Sequence, residues 1–311
     1  MNRLPHHEKE TECRRRLWPV HDHLDAAFRL SVALVTANIA LLAAQALQNP
    51  LQIASAGVET SEDAPFAAAS YRFLPGDYVY CQFQIAGYAA QKKEDSEVRK
   101  ISMTYEITPQ DSNGVPLTAA VSGVIQGELS AEDKNWTPKR RASFLLPSFL
   151  AAGDYRLHVE VKDLVAKTAA ASDLGFKVGG TVVISPATLS VQDFQFTRKE
   201  DDSDALDVPA FAPGDTVYAR FVMTGFHLGA ANEYHLNYGL TVTRPDGKPY
   251  LNEPTAAQLD DKSFYPAAFV PSNVSITTSR TAAHGQYVLL LTVRDVLGSQ
   301  TYQIKRAFTI E

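Results

Sequence analysis

Residues 74–88 read LPGDYVYCQFQIAGY and residues 212–226 read APGDTVYARFVMTGF. Gly76 and Gly214 stand 138 positions apart, and that offset also pairs Leu51 with Leu189, Phe73 with Phe211, Pro75 with Pro213, Asp77 with Asp215, Tyr80 with Tyr218, Phe83 with Phe221 and Gly87 with Gly225. A gap-free match over residues 51–88 is an internal duplication rather than shared turn chemistry. Further along, Tyr105 and Gly114 pair with Tyr238 and Gly247 at an offset of 133, and GDYRLHVEVKDL at 153 pairs with GQYVLLLTVRDV at 285 at an offset of 132. The organisation expected is residues 1–50 as a leader, 51–178 and 187–311 as two copies of one domain, and 179–186 (GGTVVISP) as a linker whose apolar centre could continue a strand.

Within each copy the apolar residues recur with period 2. Val79, Cys81, Phe83 and Ile85 alternate with Tyr78, Tyr80, Gln82 and Gln84; Tyr155, Leu157, Val159 and Val161 alternate with Arg156, His158, Glu160 and Lys162. This is the pattern of half-buried antiparallel strands, with one face on a core and the other in water. Pro75-Gly76 and Pro213-Gly214 supply the φ near −65° and the positive φ of a type II turn. No segment after residue 50 shows a sustained 3.6-residue period with caps, so about seven strands per copy predict an all-β chain of two tandem β-sandwiches.

The run G-x-Y-x-L-x-V-x-V-x-D from Gly153 to Asp163 resembles the penultimate strand of bacterial immunoglobulin-like domains of the fibronectin type III and polycystic-kidney-disease kind. The resemblance implies that Tyr155 and Tyr287 are structural, each hydroxyl bonded to backbone upstream. It specifies fold and hardly function.

Residues 30–47 carry no charge, six Lys or Arg precede them, and none follows until Arg72. This asymmetry predicts a cytoplasmic N-terminus and an extracytoplasmic remainder, with the apolar run as a signal peptide, cleaved near Ala44-Gln45-Ala46, or as a retained anchor. A buried helix is the rival reading, and RRRLW at 14–18 fits the twin-arginine pattern only loosely. The membrane is reached through this segment alone.

Composition limits the function classes. Residues 1–50 hold six basic and five acidic residues, leaving 23 basic against 30 acidic beyond them. So acidic a surface repels phosphate backbones and argues against nucleic-acid binding. The two cysteines, Cys13 and Cys81, flank the apolar segment, so a processed chain has no internal disulfide.

The candidate chemistry is sparse. Cys81 falls opposite Ala219 on an inward face, which reads as a buried inert thiol rather than a nucleophile or metal ligand. Asp77, Asp215, Asp163 and Asp295 recur at strand ends, as turn acceptors or as a carboxylate pair for acid–base work. Glu200, Asp201, Asp202 and Asp204 crowd one loop that could hold Ca²⁺, although the EF-hand order is missing; no other cofactor is implied. The four histidines beyond residue 50 show no metal-ligand spacing, and no G-x-S-x-G, phosphate loop or H-E-x-x-H is present.

Differences between the copies say more. The outward face of the penultimate strand carries Arg156, His158, Glu160 and Lys162 in the first copy, but Val288, Leu290, Thr292 and Arg294 in the second. An apolar pair in a charged pair's place predicts a cover, namely a protein partner or a second subunit, or else an ordinary exposed pair. Tyr80 and Tyr218 share an outward position where rings stack on sugars or stiffen cross-strand packing. The sequence thus predicts a non-catalytic binding or structural module of the bacterial cell envelope. Its rivals are a carbohydrate-binding accessory module and an enzyme with a site between the copies.

Overall fold

The computed structural model describes residues 50–311 apart from 95, 134, 185 and 203. The expected signal or anchor segment therefore lies outside the described residues. Among those described, no helix is long and apolar enough to cross a membrane.

The described chain is all-β. The first copy contains β1 (Gln52–Glu59), β2 (Tyr78–Ala86), β3 (Gln91–Lys92), β4 (Arg99–Asp111), β5 (Val121–Leu129), β6 (Lys139–Leu145), β7 (Gly153–Asp163) and β8 (Thr168–Val178). The second contains β9 (Ser190–Thr197), β10 (Ala210–Phe211), β11 (Thr216–Thr224), β12 (Tyr234–Thr243), β13 (Pro249–Asp261), β14 (Phe269–Thr277), β15 (Gly285–Asp295) and β16 (Gln300–Ile310), matching the first except at the short strands β3 and β10. The only helical element among the described residues is a 3-10 turn at Ala230–Asn232.

In the first copy a sheet ordered β1-β2-β6 faces one ordered β3-β4-β7-β8, with β5 also paired to β4. In the second, β14-β11-β9 faces β10-β16-β15-β12-β13. Two antiparallel sheets that place strands 1, 2 and 6 against 4, 7 and 8 form an immunoglobulin-like sandwich. The inward residues of both sheets meet in one buried cluster per copy: Cys81, Phe83, Met103, Leu157, Val159 and Phe176 in the first, Ala219, Phe221, Leu240, Leu289, Leu291 and Phe308 in the second. Each such large apolar side chain contributes about 1.5–3 kcal/mol on burial.

Some irregular features are duplicated as well as regular ones. Ser55 and Asp193, one offset apart, both take positive φ (46° and 51°) where β1 and β9 bulge. A bulge of this kind bends an edge strand and blunts it against stray pairing. Gly76 (φ 86°) and Gly214 (φ 97°) close the Pro-Gly turns, in which the Asp77 and Asp215 N–H groups donate to Leu74 O and Ala212 O at 3.0 Å each. Phe73 bridges Val178 in parallel, as Phe211 bridges Ile310.

The apolar centre of GGTVVISP does not continue a strand. Val182 and Ile184 are 78% and 75% exposed in irregular backbone. Ile184 is instead held by its own N–H and C=O, both bonded to the Gln192 side chain (3.4 and 2.5 Å).

Candidate functional site

The four recurring aspartates are placed by turns and occupied by backbone donors. Asp77 Oδ2 accepts from Leu74 N–H (2.7 Å) and Asp215 Oδ2 from Ala212 N–H (2.8 Å). Asp163 is buried at the end of β7 and accepts from Ala89 (2.6 Å), Val165 (2.8 Å) and Ala166 (3.1 Å). Its counterpart Asp295 accepts from His227 N–H (2.8 Å), Gly298 N–H (3.0 Å) and the Gln300 amide (3.2 Å). Each of these two carboxylates thus ties the turn after the penultimate strand to the segment after the second strand.

The tyrosines of the penultimate strands are also consumed by the fold. Tyr155 Oη donates to Ala151 O (2.8 Å) and Tyr287 Oη to Ala283 O (3.0 Å), with the rings stacked on Phe176 and Phe308. Cys81 is buried on the inner side of β2, and burial, reinforced by the Glu59 charge, pushes its thiol up to about 11. In the acidic loop, Asp202 Oδ2 accepts from Lys199 N–H (3.1 Å) while Glu200 Oε1 turns to Asn273 (3.2 Å). Among the described residues, no three potential metal ligands converge.

The outward faces differ between the copies. Val288 and Leu290 are half-buried, because β15 runs between β12 and β16 and cross-strand neighbours flank them: Thr243 and Ala307, Thr241 and Lys305. The corresponding face of β7 is polar, with Asp173 meeting His158 Nδ1 at 2.6 Å and Arg156 Nε at 3.7 Å. Tyr80 is half-buried between Glu59 and Ser143, with the exposed Tyr78 ring 6.2 Å away. Tyr218 has Thr216 in the place of Tyr78, so the aromatic pair belongs to the first copy alone. The structure leaves Tyr80 and Tyr218 on separate sheets and does not bring them together.

A further departure from the duplication lies elsewhere. A cleft of about 530 Å³ opens in the first sandwich between β1, β8 and the loop that joins β1 to β2. Its walls include Val58, Phe66, Tyr71, Phe73 and Phe176, and its floor includes Gly57 and Ala67–Ala69. Phe66 lies so close over Gly57 that a Cβ there would stand 2.6 Å from the ring. In the second copy Phe194 and Phe196 stand in the places of Ala56 and Val58, and Leu206, whose N–H donates to Phe196 O as the Ala67 N–H donates to Val58 O, stands in the place of Ala67; all three pack on its core, and the Arg306 guanidinium sits 5.6 Å over the Phe194 ring. Three residues at the cleft are thus smaller than their counterparts in the second copy. The signal was present for Ala56 and Val58 in the offset of 138, but AAAS at 67–70 reads by itself only as a loop.

A second feature missed in the sequence is Tyr265, between β13 and β14. Its ring packs on the first core and its hydroxyl donates to Asp111 Oδ2 (3.1 Å). Asp111 already accepts from the Asn113 and Val115 N–H groups at 2.8 Å each. Burial and the Asp111 charge hold the Tyr265 hydroxyl far above the usual phenol range.

No protein-family model matches the chain, and no curated protein sequence matches it. Among solved structures, the C-terminal domain of the Streptococcus agalactiae AgI/II polypeptide BspA aligns at 10% identity over 84% of this chain and 100% of that one, with a TM-score of 0.29. The C-terminal domain of the Streptococcus pyogenes antigen I/II-family protein AspA aligns at 12% over 84% and 100%, TM-score 0.29. A family 123 glycoside hydrolase from Clostridium perfringens aligns at 12% over 40% of this chain and 27% of its own, TM-score 0.28. All three scores lie below 0.5.

Proposed function

We propose that the chain is a non-catalytic binding or structural module of the bacterial cell envelope, exported by its first fifty residues and acting through the surfaces in which its two immunoglobulin-like copies differ. The observation that carries this reading is the partition of the duplication. The aspartates that could do acid–base chemistry recur in both copies as hydrogen-bond acceptors of the scaffold, whereas the Val288/Leu290 face is charged in its counterpart and the residues at the first copy's cleft differ in the second. A module that had kept two equal sites would have kept two equal surfaces. The Tyr78/Tyr80 pair supports sugar binding as the second reading.

Crosslinking in intact cells, followed by capture from envelope fractions, tests the proposal. The expected outcome is specific envelope partners whose capture is lost in the Val288→Glu/Leu290→Lys double variant, with an unchanged circular dichroism spectrum. Recovery of the chain from the cytoplasm, or partners indifferent to this double variant and to filling of the cleft by Ala67→Leu, would reject it. A glycan panel on the same purified chain checks the sugar reading.

A further inference from the structure

The turn between β4 and β5 carries the chain's one Asn-Gly pair, Asn113-Gly114, and the second copy makes the same turn with Asp246-Gly247. Gly114 and Gly247 take φ of 84° and 80°, and their N–H groups donate to Asp111 O (3.1 Å) and Arg244 O (3.0 Å). Both turns close the same way, through Asp111 N–H to Val115 O (3.0 Å) and Arg244 N–H to Lys248 O (2.9 Å). An aspartate therefore fits the place that Asn113 holds in the first copy.

Asn-Gly is the pair in which a backbone nitrogen most easily reaches the preceding side chain, because glycine puts no Cβ in the way. Asn113 is exposed, and among the described residues its side-chain amide makes no hydrogen bond. The Gly114 nitrogen, on losing its proton, attacks Asn113 Cγ; the new C–N bond closes a five-membered imide, the Cγ–Nδ2 bond breaks, and ammonia leaves with that proton. Water then opens the ring at either carbonyl, giving aspartate or isoaspartate. The first copy adds a group that the second lacks. An Arg156 Nη2 lies 3.5 Å from where a Cβ on Gly114 would stand, and the counterpart of Arg156 is Val288. Gln110 Oε1 accepts from the same guanidinium, 3.2 Å from Nε. A cation so placed favours the nitrogen anion and the oxyanion that the attack creates.

The two products differ in what they do to the fold. The aspartyl product reproduces the residue of the second copy. The isoaspartyl product puts the side-chain CH₂ into the main chain between the Asn113 and Val115 N–H groups, both of which donate to Asp111 Oδ1 at 2.8 Å, and leaves a carboxylate beside that aspartate. Asp111 Oδ2 is the acceptor for the Tyr265 hydroxyl. We infer that Asn113 is a self-modifying site: assisted by Arg156, it cyclises on Gly114 in the folded chain, and the isoaspartyl product releases the hold of Tyr265 on the first core. This inference does not rest on the binding-module reading.

The purified full chain, aged at pH 8 and 37 °C, is sampled by peptide mapping with electron-transfer mass spectrometry, which locates the amide-to-acid mass gain and separates isoaspartate from aspartate. Conversion at residue 113 to both products is expected. Arg156→Val should slow it about two- to fivefold, and Arg156→Lys should restore it. Valine is compatible with folding, since the second copy carries Val288 in that place; Arg156→Gln serves the same test if the circular dichroism spectrum of Arg156→Val departs from the parent's. In scanning calorimetry, the aged parent should split into two transitions in proportion to its isoaspartate, while fresh Asn113→Asp and aged Asn113→Gln keep one. Four outcomes overturn the inference: no conversion at residue 113 in the folded chain, conversion at the parent's rate without the Arg156 cation, an isoaspartate-bearing chain that melts as the fresh one does, or a split transition in fresh Asn113→Asp.

Discussion

Cys81 lies between Val79 and Phe83 on the inner side of β2, where the second copy has Ala219. The alternation and the alanine in its counterpart made this position legible in sequence, because a small buried hydrophobe satisfies both. The pH dependence follows from the same burial. The thiol stands at about 11 in the folded chain against 9.0 in the ordinary case. A raised folded value means that the thiol's contribution to stability is complete below pH 9 and is lost as pH rises from 9 to about 11. Urea titrations at pH 8 and pH 11 should therefore show Cys81→Ala removing roughly 2–3 kcal/mol of the alkaline loss seen in the parent. Before unfolding, the thiol should resist iodoacetamide at pH 8.

At the scale of elements, β2, β4 and β7 were readable because one face of each is buried and the other wet, so period 2 survives in the residues themselves. The bulges at Ser55 and Asp193 were not, since a positive φ at a serine or aspartate leaves no hydrophobic trace. The role of the aspartate latches was readable only in part: position suggested turn acceptors, but their long-range partners, Ala89 and His227, required the fold. The latches give a graded prediction. Asp295→Ala orphans two backbone donors and an amide at a buried site, so it should lower unfolding free energy by about 3 kcal/mol, whereas Asp77→Ala, in an exposed turn, should lower it by about 1 or less. Chemical denaturation followed by near-ultraviolet circular dichroism checks both, and equal losses would show that the latch adds nothing to a local turn.

Over the whole molecule, the duplication and the Val288/Leu290 difference on one strand were legible, whereas the cleft and the Tyr265 contact were not, because each of these is made by residues distant in sequence. The cleft needs Ala56, Val58 and Ala67 read against their larger counterparts, and the Tyr265–Asp111 bond joins positions 154 apart. That bond is the described hydrogen bond by which the second copy's β13–β14 loop holds the first core. Scanning calorimetry should show one cooperative transition in the parent and two separated transitions in Tyr265→Ala, with Tyr265→Phe shifted by about 1 kcal/mol while remaining single.

The parallel bridges have a mechanical meaning. Gly179 N–H donates to Phe73 O and Glu311 N–H to Phe211 O, so each copy ends on a short patch where the last strand runs in the same direction as an earlier segment. Tension along the last strand slides such a patch in shear, breaking its bonds together, instead of peeling them apart one at a time. A chain tethered at one end and loaded at the other would meet the same lock twice in series, once per copy.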